Sequence, residues 1–209
     1  MLDIPQAPAI KGHFIGGTWV PGAGTFEDIN PSDGSVWAQI PDAGVAETRR
    51  AIAAAQAAFA GWSARSFTDR AGLMLKIADV WERRHMDFVR AAQHEGGGFF
   101  GKGMFEQGYV AEVFRAAAGL CYHNIGEVLP SAYGKVSMAV RQPMGVVGVI
   151  SPWNMPGILT ARGFAFPMAA GNTIVLKPSE DTPYAGGLFF AEVLEEAGIP
   201  AGVFNVVTC

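Results

Sequence analysis

Cysteine is scarce in this 209-residue chain: Cys121 and Cys209 are the only two, with no CxxC spacing and no framework for disulfides. A reducing compartment is the expectation, and with it the cytoplasm. Charge is scarce too, at 16% of residues, and 15 Lys plus Arg fall short of 19 Asp plus Glu, which leaves a formal charge of −4. A nucleic-acid binder carries the opposite excess to neutralise phosphates, so no nucleic-acid partner is expected. Apolar residues make up 50% of the chain, yet they never run for the roughly 18 to 20 positions that a membrane span needs. The acidic start MLDIPQAPAIKG lacks a basic region followed by an apolar one, so no membrane anchor or secretory signal is expected. The four histidines, His13, His85, His94 and His123, show no ligand spacing. His94-Glu95 is followed by glycines where a zinc-binding helix needs a second His, and no metal site is expected. What is present is enough apolar sequence to bury a large core.

Along the chain, Gly16 and Gly17 sit between β-prone runs in residues 14–20 and predict a tight hairpin. Short strands continue over 25–41. Val45, Ile52, Ala55, Phe59 and Trp62 recur at helical spacing. A second helix is predicted to start near Ser66 to Asp69 and to bury Leu73, Ile77, Val80, Trp81 and Phe88, and a third carries Phe105, Tyr109, Val113, Ala116 and Leu120. Residues 126–142 read as a β-hairpin arm around Pro130, Ser131 and Gly134.

After the arm the pattern changes. Residues 146–150 (VVGVI) predict a parallel strand covered on both faces. A helix follows from about Pro156 to Ala170, closed by Gly171-Asn172. Residues 173–177 (TIVLK) form a second strand, Thr182-Pro183 opens a helix ending at Gly198, and 203–207 (VFNVV) is a third strand. The order βαβαβ implies an α/β fold with a parallel sheet and right-handed crossovers. Ligands bind such sheets beyond the carboxyl ends of the strands, which here are residues 151–154 (SPWN) and 177–180 (KPSE).

Gly96, Gly98 and Gly101 satisfy GxGxxG, and Gly96 to Lys102 nearly matches a phosphate loop. The run follows a helix, and Gly103 stands where Ser or Thr is required, so it reads as an inter-helix loop. Lys177 at a strand end suits a nucleotide's hydroxyls or phosphate, and Glu180 can accept from ribose hydroxyls. Both also read as ordinary surface charges. Trp153 reads equally as core. Asn154 reads either as a cap for the helix at Pro156 or as a donor to a developing oxyanion.

Taken together, residues 143–154 (PMGVVGVISPWN), 169–183 (AAGNTIVLKPSEDTP) and 197–207 (AGIPAGVFNVV) resemble the aldehyde dehydrogenase superfamily. FIGGTWV at 14–20, Asn30-Pro31, AlaPheAlaGlyTrp at 58–62 and ArgAlaGlyLeu at 70–73 fit as well. The resemblance implies a Rossmann-like cofactor domain with flanking helices and a protruding hairpin. It also implies NAD(P)⁺-dependent oxidation of an aldehyde to an acid through a cysteine thiohemiacetal, hydride transfer and thioester hydrolysis.

Carried over by motif, Asn154 is the oxyanion donor, Ile150, Ser151, Pro152 and Trp153 line the cofactor cleft, and Lys177 and Glu180 hold the adenosine ribose beside Ser179. Glu180 favours NAD over NADP, since a 2′-phosphate would meet a like charge there. Met155, Leu159 and Arg162 face the substrate tunnel. The run AsnMetProGlyIleLeuThrAlaArg resembles the branch acting on aromatic aldehydes such as benzaldehyde, vanillin or salicylaldehyde. Arg162 would stack on a ring or bind a hydroxyl or carboxylate there, or serve only in a structural ion pair.

The same resemblance divides the chain into the N-terminal part of a cofactor domain (1–125), an oligomerisation hairpin (126–142) that pairs subunits into a dimer or tetramer, and the βαβαβ part (143–209). The family's second Gly-rich turn, general-base Glu and nucleophilic Cys have no counterpart in these residues. Cys121 reads as a buried small hydrophobe and Cys209 not as the nucleophile. The expectation is therefore the N-terminal portion of a longer enzyme, with its catalytic domain absent and the 209 residues alone inactive. The alternative is a truncated nucleotide-binding or subunit-pairing module.

Overall fold

A computed structural model describes residues 8–123 and 125–209; the first seven residues of the acidic start lie outside it. Four strands come first, β1 (His13–Ile15), β2 (Thr18–Val20), β3 (Gly24–Ile29) and β4 (Val36–Asp42), followed by four helices, α1 (Val45–Ser63), α2 (Phe67–Arg83), α3 (His85–Gly96) and α4 (Phe100–Leu120). The arm is β5 (Gly126–Leu129) and β6 (Ser137–Val140). Then come β7 (Val146–Ile150), α5 (Pro156–Ala169), β8 (Thr173–Lys177), a wide π turn at Tyr184–Leu188 running into α6 (Phe189–Glu196), and β9 (Phe204–Val206).

The main sheet has the order β2-β1-β9-β8-β7. As the βαβαβ pattern requires, β7, β8 and β9 are parallel. The sheet is mixed, however, because β1 pairs antiparallel with β9 through Phe14 and Val206. Sequence pattern foresaw the β1–β2 hairpin but not where it docks. Asn205 fixes that: its Oδ1 accepts from Gly16 N at 2.8 Å, and its Nδ2 donates to Ile174 O and Gly202 O. Gly16 and Gly17 hold φ of 64° and 80°, the left-handed pair a two-residue hairpin needs.

Side chains of β8 alternate between two helical layers. Ile174 and Leu176 enter the main core with α5 and α6, while Val175 meets Ala51 and Ala55 of α1. The buried face of α1 is made of Ala51, Ala55 and Trp62, so the helix lies close enough for Thr173 Oγ1 to donate to Ala55 O at 3.0 Å. The expected Val45 and Ile52 point outward instead.

Three further expectations are corrected. The second predicted helix is two helices, broken at Arg84, which closes α2 through its N–H to Val80 O and Trp81 O. Its guanidinium bonds Glu192 at 2.6 Å and lies over Phe189, so the break is held by α6. On α4 the buried residues are Gly103, Glu106, Val110, Ala111, Val113, Phe114, Ala117 and Ala118, whereas Phe105, Tyr109, Ala116 and Leu120 face outward. Finally, among the described residues β7 lies at the edge of the sheet and is only partly covered, with Ile150 84% exposed.

Candidate functional site

The ends of β7 and β8 meet, with Ile150 opposite Lys177 in register and Ser151 N donating to Lys177 O at 3.1 Å. The two stretches singled out in sequence are thus brought together. Lys177 Nζ lies 3.2 Å from Glu180 Oε2. The Glu180 carboxyl is held below the usual glutamate range, first by its own backbone N–H and then by the Lys177 ammonium, so it is an ionised acceptor. Ser179 Oγ accepts from Asp181 N, shaping the turn that carries Glu180. Ser151 is 4% exposed and its Oγ has no partner among the described residues.

Trp153 is 56% exposed, which removes its core reading. Asn154 is exposed and its amide bonds nothing among the described residues. The helix cap at α5 is Met155, so Asn154 is not a cap. Met155, Leu159 and Arg162 form one stripe of α5, the first two half-buried and Arg162 exposed. No acidic group pairs with Arg162 among the described residues, so it makes no structural ion pair there. A cavity of about 550 Å³ is walled by Trp153, Glu180, Asp181, Thr182, Asp28 and Glu95 among others, and Asn154, Met155, Leu159 and Arg162 do not line it.

The starts of the two crossover helices are closed in the same way. Glu106, fully buried on α4, accepts from Gly157 N at 2.9 Å and Ile158 N at 3.4 Å. Glu95, at the end of α3, accepts from Tyr184 N at 2.6 Å and Ala185 N at 2.7 Å. Pro156 and Pro183 have no N–H to offer, while Leu159 N and Gly186 N are bonded to Met155 O and Thr182 O. Neither helix start therefore has free N–H groups for an anion, in contrast to dinucleotide folds that seat a diphosphate there. Lys102, from the rejected phosphate-loop match, reaches Glu106 Oε1 at 2.6 Å.

Sequence reasoning missed both glutamates. A signal existed: a helix opening on Met-Pro has no cap of its own, so its first N–H groups must find an acceptor elsewhere.

Beside Glu95 lies Asp28, 1% exposed, whose Oδ2 has no partner among the described residues. Burial raises the Asp28 carboxyl to about 6, and burial together with Asp28 pushes Glu95 well above its ordinary value. Burial also raises the Cys121 thiol, whose Sγ lies against Ala117 O and Ala169 O; the residue is half-buried. No cluster of metal-binding side chains occurs among the described residues, and no helix among them is long and apolar enough to cross a membrane.

An α/β fold with candidate residues at the ends of adjacent parallel strands belongs to the class of open α/β sheets that bind ligands beyond the carboxyl ends of their strands. Residues 19–209 match the model of the aldehyde dehydrogenase family, and the chain belongs to that family. It is 40% identical over 207 residues to 2-hydroxymuconic semialdehyde dehydrogenase of Pseudomonas sp. strain CF600, covering 93% of this chain and 42% of that relative. It is 39% identical over 197 residues to vanillin dehydrogenase of an Amycolatopsis species, covering 94% and 40%. The structure of an NAD-dependent benzaldehyde dehydrogenase from Corynebacterium glutamicum superposes with a TM-score of 0.92 at 36% identity, covering 97% of this chain and 45% of that one. The chain thus spans about two fifths of the length of the curated relatives it matches.

Proposed function

We propose that this chain is the N-terminal portion of an NAD⁺-dependent dehydrogenase that oxidises an aldehyde, in its best-supported form an aromatic one, to the carboxylic acid. The observation that carries the reading is the Lys177–Glu180 pair at the end of β8 beside the end of β7, with the exposed Asn154 following a few residues after β7, in a chain of this family.

The residues present fit half of a dinucleotide cradle. Ionised Glu180 accepts from ribose hydroxyls, Lys177 donates to them, and Ile150 to Trp153 supply an open wall. Bound there, the nicotinamide cofactor would accept a hydride. Because both crossover helix starts are closed by carboxylates, the diphosphate is held by other groups. Asn154 Nδ2 donates to the substrate oxygen as negative charge develops on it. Arg162 offers a planar cation to a ring or to its hydroxyl or carboxylate substituent. The vanillin and benzaldehyde dehydrogenases among the relatives support an aromatic substrate. The arm, whose outer residues Val128 and Met138 are exposed, serves in this reading to pair subunits, and the cytoplasm is the working compartment.

The test is the protein expressed from its own gene, assayed for aldehyde-dependent NADH formation with benzaldehydes and with aliphatic semialdehydes. Expected are activity on benzaldehydes, an intact mass above 22.1 kDa, and a loss of about 10²- to 10³-fold in kcat for Asn154→Ala. An intact mass of 22.1 kDa without NADH formation would overturn the enzyme reading in favour of a binding or pairing module.

A further inference from the structure

α5 is gripped at both ends by the N-terminal helices. At its C-terminal end Trp62 Nε1 donates to Met168 O at 3.0 Å and Arg70 Nε to Ala169 O at 2.9 Å. At its N-terminal end the only side-chain acceptor for its first N–H groups, among the described residues, is Glu106. A carboxylate with no exposure at all is costly unless each oxygen is paired, and here each is: Oε1 with Lys102, Oε2 with Gly157 N and Ile158 N. The approach is close because residue 157 is glycine. A Cβ there would stand 2.6 Å from Phe88 Cζ and 3.2 Å from Glu106 Oε2.

Only Met155 and Pro156 separate the anchored Gly157 from Asn154, and the Asn154 amide has no bond of its own among the described residues to hold it. Between them, Pro156 restricts the backbone. We infer that Glu106 is a positioning residue, which sets the direction of the Asn154 amide by fixing the start of α5. It touches neither substrate nor cofactor. The inference rests on the oxyanion role proposed for Asn154, whereas the anchoring itself does not.

Two measurements on the protein expressed from its own gene separate these levels. Amide hydrogen exchange compares wild type with Glu106→Gln. Exchange faster by about tenfold or more, confined to residues 154–160, is expected; uniform acceleration through the core would mean a merely structural role and overturn the inference. Steady-state kinetics then compare Glu106→Gln, Asn154→Ala and the double variant. Glu106→Gln is expected to lower kcat by about ten- to a hundredfold, with NAD⁺ affinity within about threefold of wild type and partial rescue by Glu106→Asp. In the Asn154→Ala background the same change is expected to cost less than about twofold, because the group being aimed is gone. Equal losses in both backgrounds, or no loss of kcat, would overturn the inference. A wild type that forms no NADH would instead sink the dehydrogenase reading and the positioning role with it, and local exchange would still show the anchor.

Discussion

Two buried glutamates do the same mechanical job in different electrostatic company. Glu106 closes the start of α5 with Lys102 at 2.6 Å, so a cation balances the carboxylate in the core. Glu95 closes the start of the π turn before α6, but its neighbour is Asp28, and burial drives both carboxyls toward the protonated form. The difference teaches that capping needs two acceptor lone pairs, whereas the charge state of the cap is decided by what lies behind it. One cap is balanced by an ion pair, whereas the other lies beside a second buried carboxyl and is pushed toward its protonated form.

The contrast is broken most severely by removing the caps themselves. Glu106→Ala deletes the acceptor of two buried N–H groups and strands Lys102, and is expected to destabilise the chain by about 3–5 kcal/mol in urea denaturation. Glu95→Ala, which strands no cation, should cost less, about 1–3 kcal/mol. The reverse order would refute the contrast.

Changing the pH probes the raised Asp28 carboxyl directly. The Asp28 carboxyl, raised from 3.8 to about 6, binds its proton more tightly in the folded chain than in the unfolded one. Stability from this group is complete below about pH 4 and is lost as pH rises through about 6. The loss is on the order of 2–3 kcal/mol. Asp28→Asn should flatten melting temperature against pH across that window, and an unchanged slope would show that Asp28 does not bind the proton. A smaller effect, about 1–3 kcal/mol, is expected for Gly157→Ala through overpacking against Phe88. Smallest is Lys177→Met. Its partner Glu180 is exposed, so stability should change by less than about 1 kcal/mol, which a thermal melt would check.

The second half of the fold was legible because β8 and its neighbours carry unbroken apolar runs closed by Gly-Asn and Thr-Pro punctuation. Gly171 indeed ends α5 with φ of 100°, and Asn172 Oδ1 accepts from Met144 N and Gly145 N. Lys177 and Glu180 were legible as charges just past a buried strand. The N-terminal helices misled because spacing alone does not say which stripe faces inward. On α4 the aromatic stripe of Phe105 and Tyr109 is outward, and the inner stripe is built largely from Val, Ala and a glutamate. The Met-Pro opening of α5 signals that an acceptor is needed but not which one, because the backbone partners of Glu106 and Glu95 lie 51 and 89 residues away in sequence.

The docking of β1 on β9 also bears on how the chain acquires its shape. Gly16 and Asn205 are 189 positions apart, so the bond between them closes a loop that holds nearly the whole chain. Contacts of such high sequence separation are slow to form. During synthesis the β1–β2 hairpin must wait, with Phe14 and Ile15 uncovered, until residue 206 has left the ribosome. Docking of the hairpin onto the sheet therefore waits for β9, and in that interval the uncovered hairpin is open to capture by chaperones or by another copy of the chain.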